Sequence, residues 1–180
     1  VFYNPAGLAF SRNEVVFSYD NVYQLPGAVS NAAAASYRLG SKGALAVGFQ
    51  RFSVEAGDEC LSAEQDIAFA YSRKIIEDVH SSISVGGTFH YYHMDYGDYE
   101  DVYGSGNTWG IDVGARAVLH RRTVLGFRVT NLNNPSLGEL HSYDLPRRLQ
   151  VGISYRPYSA VLTSFALEKK LDVMGGSQTT

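Results

Sequence analysis

The sequence predicts an all-β chain laid out as an antiparallel up-and-down sheet, and three observations predict it. Nearly every periodic segment alternates apolar and polar residues with period two, as strands do when their two faces meet different surroundings. No segment has a helical period, and no run approaches the ~18 apolar residues of a membrane helix. Glycine (18) and tyrosine (13) are abundant in the 180 residues, whereas lysine is confined to Lys42, Lys74, Lys169 and Lys170, all in turns or at strand ends. A soluble β-protein scatters lysines along its wet face.

Nine strands are expected: Glu14–Asp20, Asn31–Leu39, Gly43–Val54, Ala63–Arg73, Ser81–His93, Asn107–Leu119, Thr123–Asn131, Arg147–Arg156 and Ala160–Lys170. Three show the alternation best. In the fifth, Ile83, Val85, Gly87, Phe89 and Tyr91 oppose Ser82, Ser84, Gly86, Thr88, His90 and Tyr92. In the sixth, Trp109, Ile111, Val113, Ala115 and Ala117 oppose Thr108, Gly110, Asp112, Gly114 and Arg116. In the eighth, Leu149, Val151, Ile153 and Tyr155 oppose Arg148, Gln150, Gly152, Ser154 and Arg156. Lys74-Ile75-Ile76-Glu77-Asp78 is expected to be a turn. Tight links at Gly40-Ser41-Lys42, His120-Arg121-Arg122 and Pro157-Tyr158-Ser159 face long ones at 21–30, 94–106 and 132–146. Short turns at one end and long loops at the other is the outer-membrane barrel arrangement, with the N-terminus on the periplasmic side.

Alternation does not say which face points inward, since a soluble ligand-binding barrel has the same period. Two further features separate the cases. The polar face is dominated by Gly, Ala, Ser, Thr, Gln and a few Arg, as in a lumen lining. Aromatic residues of the apolar face gather at the strand ends: Tyr19, Phe49, Tyr91 and Trp109 near the long loops, Tyr37, Tyr71 and Tyr155 near the short turns. Such girdles suit two membrane–water interfaces. The expectation is a transmembrane β-barrel. Nine strands is odd, and an open edge in hydrocarbon leaves costly unpaired backbone groups. The nine are therefore expected to be part of a larger barrel, with 174–180 starting a further loop. The other way out is closure by eight strands around a plugging first segment.

Asn4-Pro5-Ala6-Gly7-Leu8-Ala9 resembles the Asn-Pro-Ala-Gly segment near the mature N-terminus of long-chain fatty-acid transporter-like barrels, particularly of the PorV/PorQ family of outer-membrane proteins. Leu145-Pro146 leading into Arg147–Tyr155 is similar to that family's Leu-Pro-led strand, and 166–172 to the strand after it. The resemblance implies a bacterial outer-membrane barrel of about fourteen strands, with residues 1–13 as a lumenal hatch and 14–180 as barrel strands of one domain. It also implies either passage of hydrophobic molecules or service to the type IX secretion machinery.

The candidate site residues are Asn4, Pro5 and Ala6 in the opening segment, and His90, Asp112, Arg116, Arg128, Arg148, Gln150 and Arg156 on the polar face. The latter could form a charge-selecting constriction or ion pairs that only fill the interior. Asn-Pro followed by a small residue and glycine is also ordinary turn chemistry. The loop 92–104, with Asp95, Asp98, Glu100, Asp101 and its tyrosines, could take a hard cation or a protein partner. Its spacing is not that of an EF-hand, and a solvated acidic loop is favoured.

Net charge of −3 and only His120-Arg121-Arg122 as a basic cluster exclude a nucleic-acid footprint. Cys60 is the single cysteine, too few for a disulfide framework or cysteine-based metal site. His90 and His93 are three apart on a strand and face opposite sides. His141-Ser142-Tyr143-Asp144 has the letters of a hydrolase triad without its spatial arrangement, and Gly104-Ser105-Gly106-Asn107 lacks a strand-to-helix setting for phosphate. Neither catalysis, a cofactor nor a metal is expected. The partners expected are the lipid bilayer and either hydrophobic small molecules or secretion proteins. The alternative class is a soluble β-barrel or β-sandwich binding module.

Overall fold

A computed structural model of the chain describes residues 3–22, 27–57, 59–97, 104–138 and 143–171. The described residues form β1 (Glu14–Asn21), β2 (Ala28–Arg38), β3 (Ala44–Ala56), β4 (Glu59–Glu77), β5 (Ser82–Asp95), β6 (Gly106–Leu119) and β7 (Thr123–Thr130). The two-residue strands β8 (Ser136–Leu137) and β9 (Tyr143–Asp144) follow, then β10 (Arg147–Tyr158) and β11 (Val161–Leu171). Nine of them make one antiparallel sheet in the order β1-β2-β3-β4-β5-β6-β7-β10-β11, while β8 and β9 pair as a separate small flap. Every neighbour in the sheet is thus the next long strand in the chain. The sheet is open among the described residues, with β1 and β11 as its edges.

Strand boundaries follow the alternation, but several strands run longer than expected, β2 starting at Ala28 and β4 at Glu59. The segment 74–77, expected as a turn, continues β4, whose length is 19 residues. Lys74 pairs with Ser84, Ile76 with Ile83 and Glu77 with Ser82, with a bulge between Lys74 and Ile76. A bulge inserts one residue and breaks period two, which is why two adjacent isoleucines disguised a strand. The hairpin after β10 is likewise later than expected, because Pro157 and Tyr158 still belong to the strand. β6 opens at Gly106, one residue before its expected start at Asn107.

The two faces differ sharply. On one, Leu45, Val47, Phe49, Phe69, Val85, Phe89, Trp109, Phe127, Val151, Ile153 and Phe165 are all exposed, from Phe49 at 39% to Phe165 at 60%. Register sets aromatic rings beside one another: Ile67 lies opposite both Phe49 and Tyr91, and Tyr91 opposite Trp109. Phe89 stacks on Trp109 at 6.1 Å between centroids. The other face carries small and polar side chains, which are buried at the centre of the sheet, on β3 to β6. Ala44, Ala46, Ala68, Ala70, Ser72, Ser84, Thr88, His90 and Asp112 all lie on it.

β7 is only 8 residues long and stops at Thr130, level with Asp112, so the loop-end half of β6 lacks a strand on that side. Asn133 fills the gap. Its Oδ1 accepts from the Ile111 N–H at 2.9 Å and its Nδ2 donates to the Trp109 carbonyl at 2.8 Å, satisfying an edge that would otherwise be bare.

Candidate functional site: the polar face

Residues Pro5–Phe10 form a 3₁₀ helix that packs on the polar face across β3 to β6. Asn4 caps it, its Oδ1 accepting from the Ala6 N–H at 3.0 Å, and Pro5 starts it with a φ already suited to the turn. The turn chemistry read from the sequence holds for Asn4 and Pro5, whereas Gly7 needs no positive φ. The other side of Asn4 anchors the segment, since its Nδ2 donates to the carbonyls of Ala115 (3.2 Å) and Phe127 (3.1 Å). The Ala6 carbonyl accepts from Ser84 Oγ at 2.8 Å and Ser72 Oγ at 3.3 Å. Leu8 drops onto Ala44, Ala46 and Ala70 in a small apolar cluster.

Close approach requires missing side chains. A Cβ at Gly86 would stand 2.7 Å from the Pro5 carbonyl, and one at Gly114 would strike Asn4 Oδ1. Phe10 ends the segment with Arg116 stacked over its ring at 4.2 Å and Lys74 over it at 5.0 Å. Those cation–π contacts pull Arg116 toward the N-terminal segment.

Beyond the segment, toward the loop end, charges climb diagonally across the sheet. Asp66 lies opposite Tyr92, His90 opposite Gly110, Asp112 opposite Thr88 and Arg128 opposite Gly114, so each member reaches its neighbour two residues off the direct pair. His90 Nδ1 is 2.9 and 3.0 Å from the two Asp66 oxygens, and its Nε2 is 3.5 Å from Asp112 Oδ2. Arg128 Nη2 donates to Asp112 Oδ2 at 2.6 Å, and the Asn131 N–H donates to Asp112 Oδ1 at 2.9 Å. Asp112 is only 1% exposed, so its charge stands only because these donors surround it. Asn131 adopts φ +52°, a left-handed conformation asparagine tolerates well. Its Oδ1 accepts from Tyr92, whose ring stacks on His90 at 5.4 Å. The ladder resumes on β10, where Gln150, opposite Arg128, donates to Glu168 of β11 at 2.7 Å, and Arg148 lies 3.5 Å from the same carboxylate.

The structure thus joins His90, Asp112 and Arg128 in one network and Gln150 with Arg148 in its extension. It places Asn4, Pro5 and Ala6 together at the start of the segment. Arg116 departs from the expected cluster toward Phe10. Arg156 stands apart at the short-turn end of β10, where its N–H donates to the Arg122 carbonyl. Sequence reasoning missed Asp66, Tyr92 and Glu168 as partners of the expected residues, and also Asn131. Asp66 was findable, since β4 alternation puts it on the polar face. Residues 98–103 of the acidic loop lie outside the described residues, as do His141 and Ser142, the segment 174–180, and Val1 and Phe2 of the expected hatch. Among the described residues no group of three or more His, Cys, Asp or Glu could hold a metal ion.

The arrangement can hold charge in a polar interior and seat a short segment over it. No model of a known family, no curated protein and no solved structure matches this chain.

Proposed function

We propose that the chain is wall and plug of a bacterial outer-membrane β-barrel, its apolar face in lipid and its polar face lining a lumen that residues 1–13 occlude. The observation that carries this reading is an apolar face left exposed on every long strand, opposite a buried charge network. A soluble sheet would cover that face with a second layer, and among the described residues no element packs over it.

Strand lengths support the reading. Lipid crossing takes ~9–11 residues per strand, and β2 to β6, β10 and β11 run from 11 to 19. The short-turn aromatics step along the register. Tyr155 shares a row with Thr123 and Leu119, while Tyr37 and Tyr71 share one with Leu45, Val113 and Val129. Strands tilted to a barrel axis would bring such a staggered set to one height. Closure would then need strands that pair with β1 and β11.

In this role the protein passes small or hydrophobic molecules when the N-terminal segment leaves its seat, as the fatty-acid transporter-like resemblance suggests. The export accessory suggested by the PorV/PorQ resemblance differs in one outcome, stable recovery with secretion proteins. The test of the lipid reading uses Trp109, the single tryptophan, which is 50% exposed on the apolar face. In vesicles of brominated phosphatidylcholine its fluorescence should be strongly quenched, and the protein should aggregate without detergent. Unquenched fluorescence together with a monodisperse protein in plain buffer would establish the soluble binding module instead.

A further inference from the structure

At the loop end of the polar face, away from the 3₁₀ segment, lies a cavity of about 220 Å³. Strands β3, β4 and β5 supply Phe52, Glu64, Asp66 and Tyr92, while the β8–β9 flap supplies Leu137 and Tyr143. The flap is held over the sheet by close packing, for a Cβ at Gly106 would meet the Gly138 backbone. The cavity is smaller than the ~300–1,000 Å³ of pockets for drug-sized ligands, so its occupant is small.

Its lining is one-sided in charge. Glu64 and Asp66 lie two apart on β4 and therefore share a face, and neither lysine nor arginine lines the space. Asp66 is shared with His90, and among the described residues Glu64 forms no ion pair. Three aromatic rings, Phe52, Tyr92 and Tyr143, complete the walls. The exposed Glu64 and half-buried Asp66 carboxylates, with aromatic rings beside them, suit an organic cation. Exposed Glu55 and Glu59 on the β3–β4 hairpin add negative potential on the approach.

We propose that this cavity binds a small organic ammonium ion, its head against the Glu64 and Asp66 carboxylates and its apolar body against Phe52, Tyr92 and Leu137. This deepens the conduit reading by naming a ligand class. The cavity itself is built within the described chain and needs no lipid.

The test titrates the purified full chain with n-butylammonium, n-butanol and butyrate by calorimetry, with circular dichroism as the check on folding. Butylammonium should bind saturably, butanol at least about tenfold more weakly, and butyrate not at all. Glu64→Gln should weaken butylammonium by about tenfold or more, the scale of one lost charge-assisted hydrogen bond. Tyr143→Ala, in the flap and outside the sheet, should weaken it at the loss of one contact to β5, the Tyr143 hydroxyl on Met94 Sδ at 3.1 Å, and Arg156→Gln should leave it unchanged. Equal binding of alcohol and ammonium, an unaltered Glu64→Gln titration, or no saturation by any probe would overturn the proposal. Failure of the lipid reading is separately visible as Trp109 unquenched by brominated lipid with the ammonium titration intact.

Discussion

A single methyl group added at Gly86 should unseat the N-terminal segment. In Gly86→Ala the new Cβ would sit 2.7 Å from the Pro5 carbonyl carbon and oxygen and 2.9 Å from the Ala6 nitrogen. All three are backbone atoms, so no rotamer change relieves the contact. β5 is hydrogen-bonded to β4 and β6 along its length, and the 3₁₀ segment is the part free to yield. Its seat rests on four side-chain hydrogen bonds, from Asn4 Nδ2 to two carbonyls and from Ser72 and Ser84 to the Ala6 carbonyl. Overpacking of this kind costs typically about 1–3 kcal/mol, and each net hydrogen bond lost with the shift about 1 kcal/mol. A docking loss of about 3 kcal/mol corresponds to on the order of a hundredfold in the opening equilibrium.

Hydrogen exchange of the Gly7 and Ser11 amides reads that equilibrium, because both are bonded only within the segment, to the Asn4 and Leu8 carbonyls. Their protection should fall by that factor while β5 and β6 amides keep theirs. Gly152→Ala, whose Cβ would meet nothing closer than 3.7 Å, is the control and should change nothing. If Gly86→Ala exchanges within twofold of the parent at Gly7 and Ser11, the docking account is wrong.

Three other substitutions probe the remaining features. Asp112→Ala removes the carboxylate that Arg128 Nη2 and His90 Nε2 face, and should cost about 3–5 kcal/mol in denaturant unfolding, as loss of one partner of a buried pair does; a cost under about 1 kcal/mol would mean water already screens the network. Val151→Arg, at a position 47% exposed on the apolar face, should destabilise the lipid-inserted protein by about 2–4 kcal/mol. A neutral result in vesicles would count against lipid contact there. Asn133→Ala frees the Ile111 N–H and the Trp109 carbonyl, and should cost about 1–2 kcal/mol and speed exchange at Ile111; unchanged exchange would show that the amide does not seal β6.

Much of the sheet was legible because period-two alternation is a local property. The strand order, the faces and the aromatic rows follow once each strand's phase is known, and Ser82–Tyr92 needed nothing further. Legibility failed where one residue was inserted, as at Ile75–Ile76, because the bulge shifts the phase that the eye follows. The site was read by face but not by partner. His90, Asp112 and Arg128 are visibly on one side, yet which of them touch depends on diagonal register, set by hairpins far along the chain. That is why Arg116, on the same face as Asp112, ended beneath Phe10 instead of in the network, and why Asp66 was passed over. Asn131 and Asn133 were beyond sequence reasoning altogether, since a loop asparagine announces neither its backbone angle nor the strand edge it will meet.

The corner that follows β7 fixes how the flap can vary. Asn131 is tied to Asp112 and Asn133 to β6, Asn134 Oδ1 accepts from Arg147 Nε at 2.8 Å, and the Leu145 N–H donates to the Pro135 carbonyl at 2.8 Å. Outgoing and returning arms of the long connection are therefore clasped side by side at their base. The two ends of the flap, Leu137 and Tyr143, leave and rejoin the wall of strands at fixed points, and the canopy over the acidic cavity hangs from that clasp.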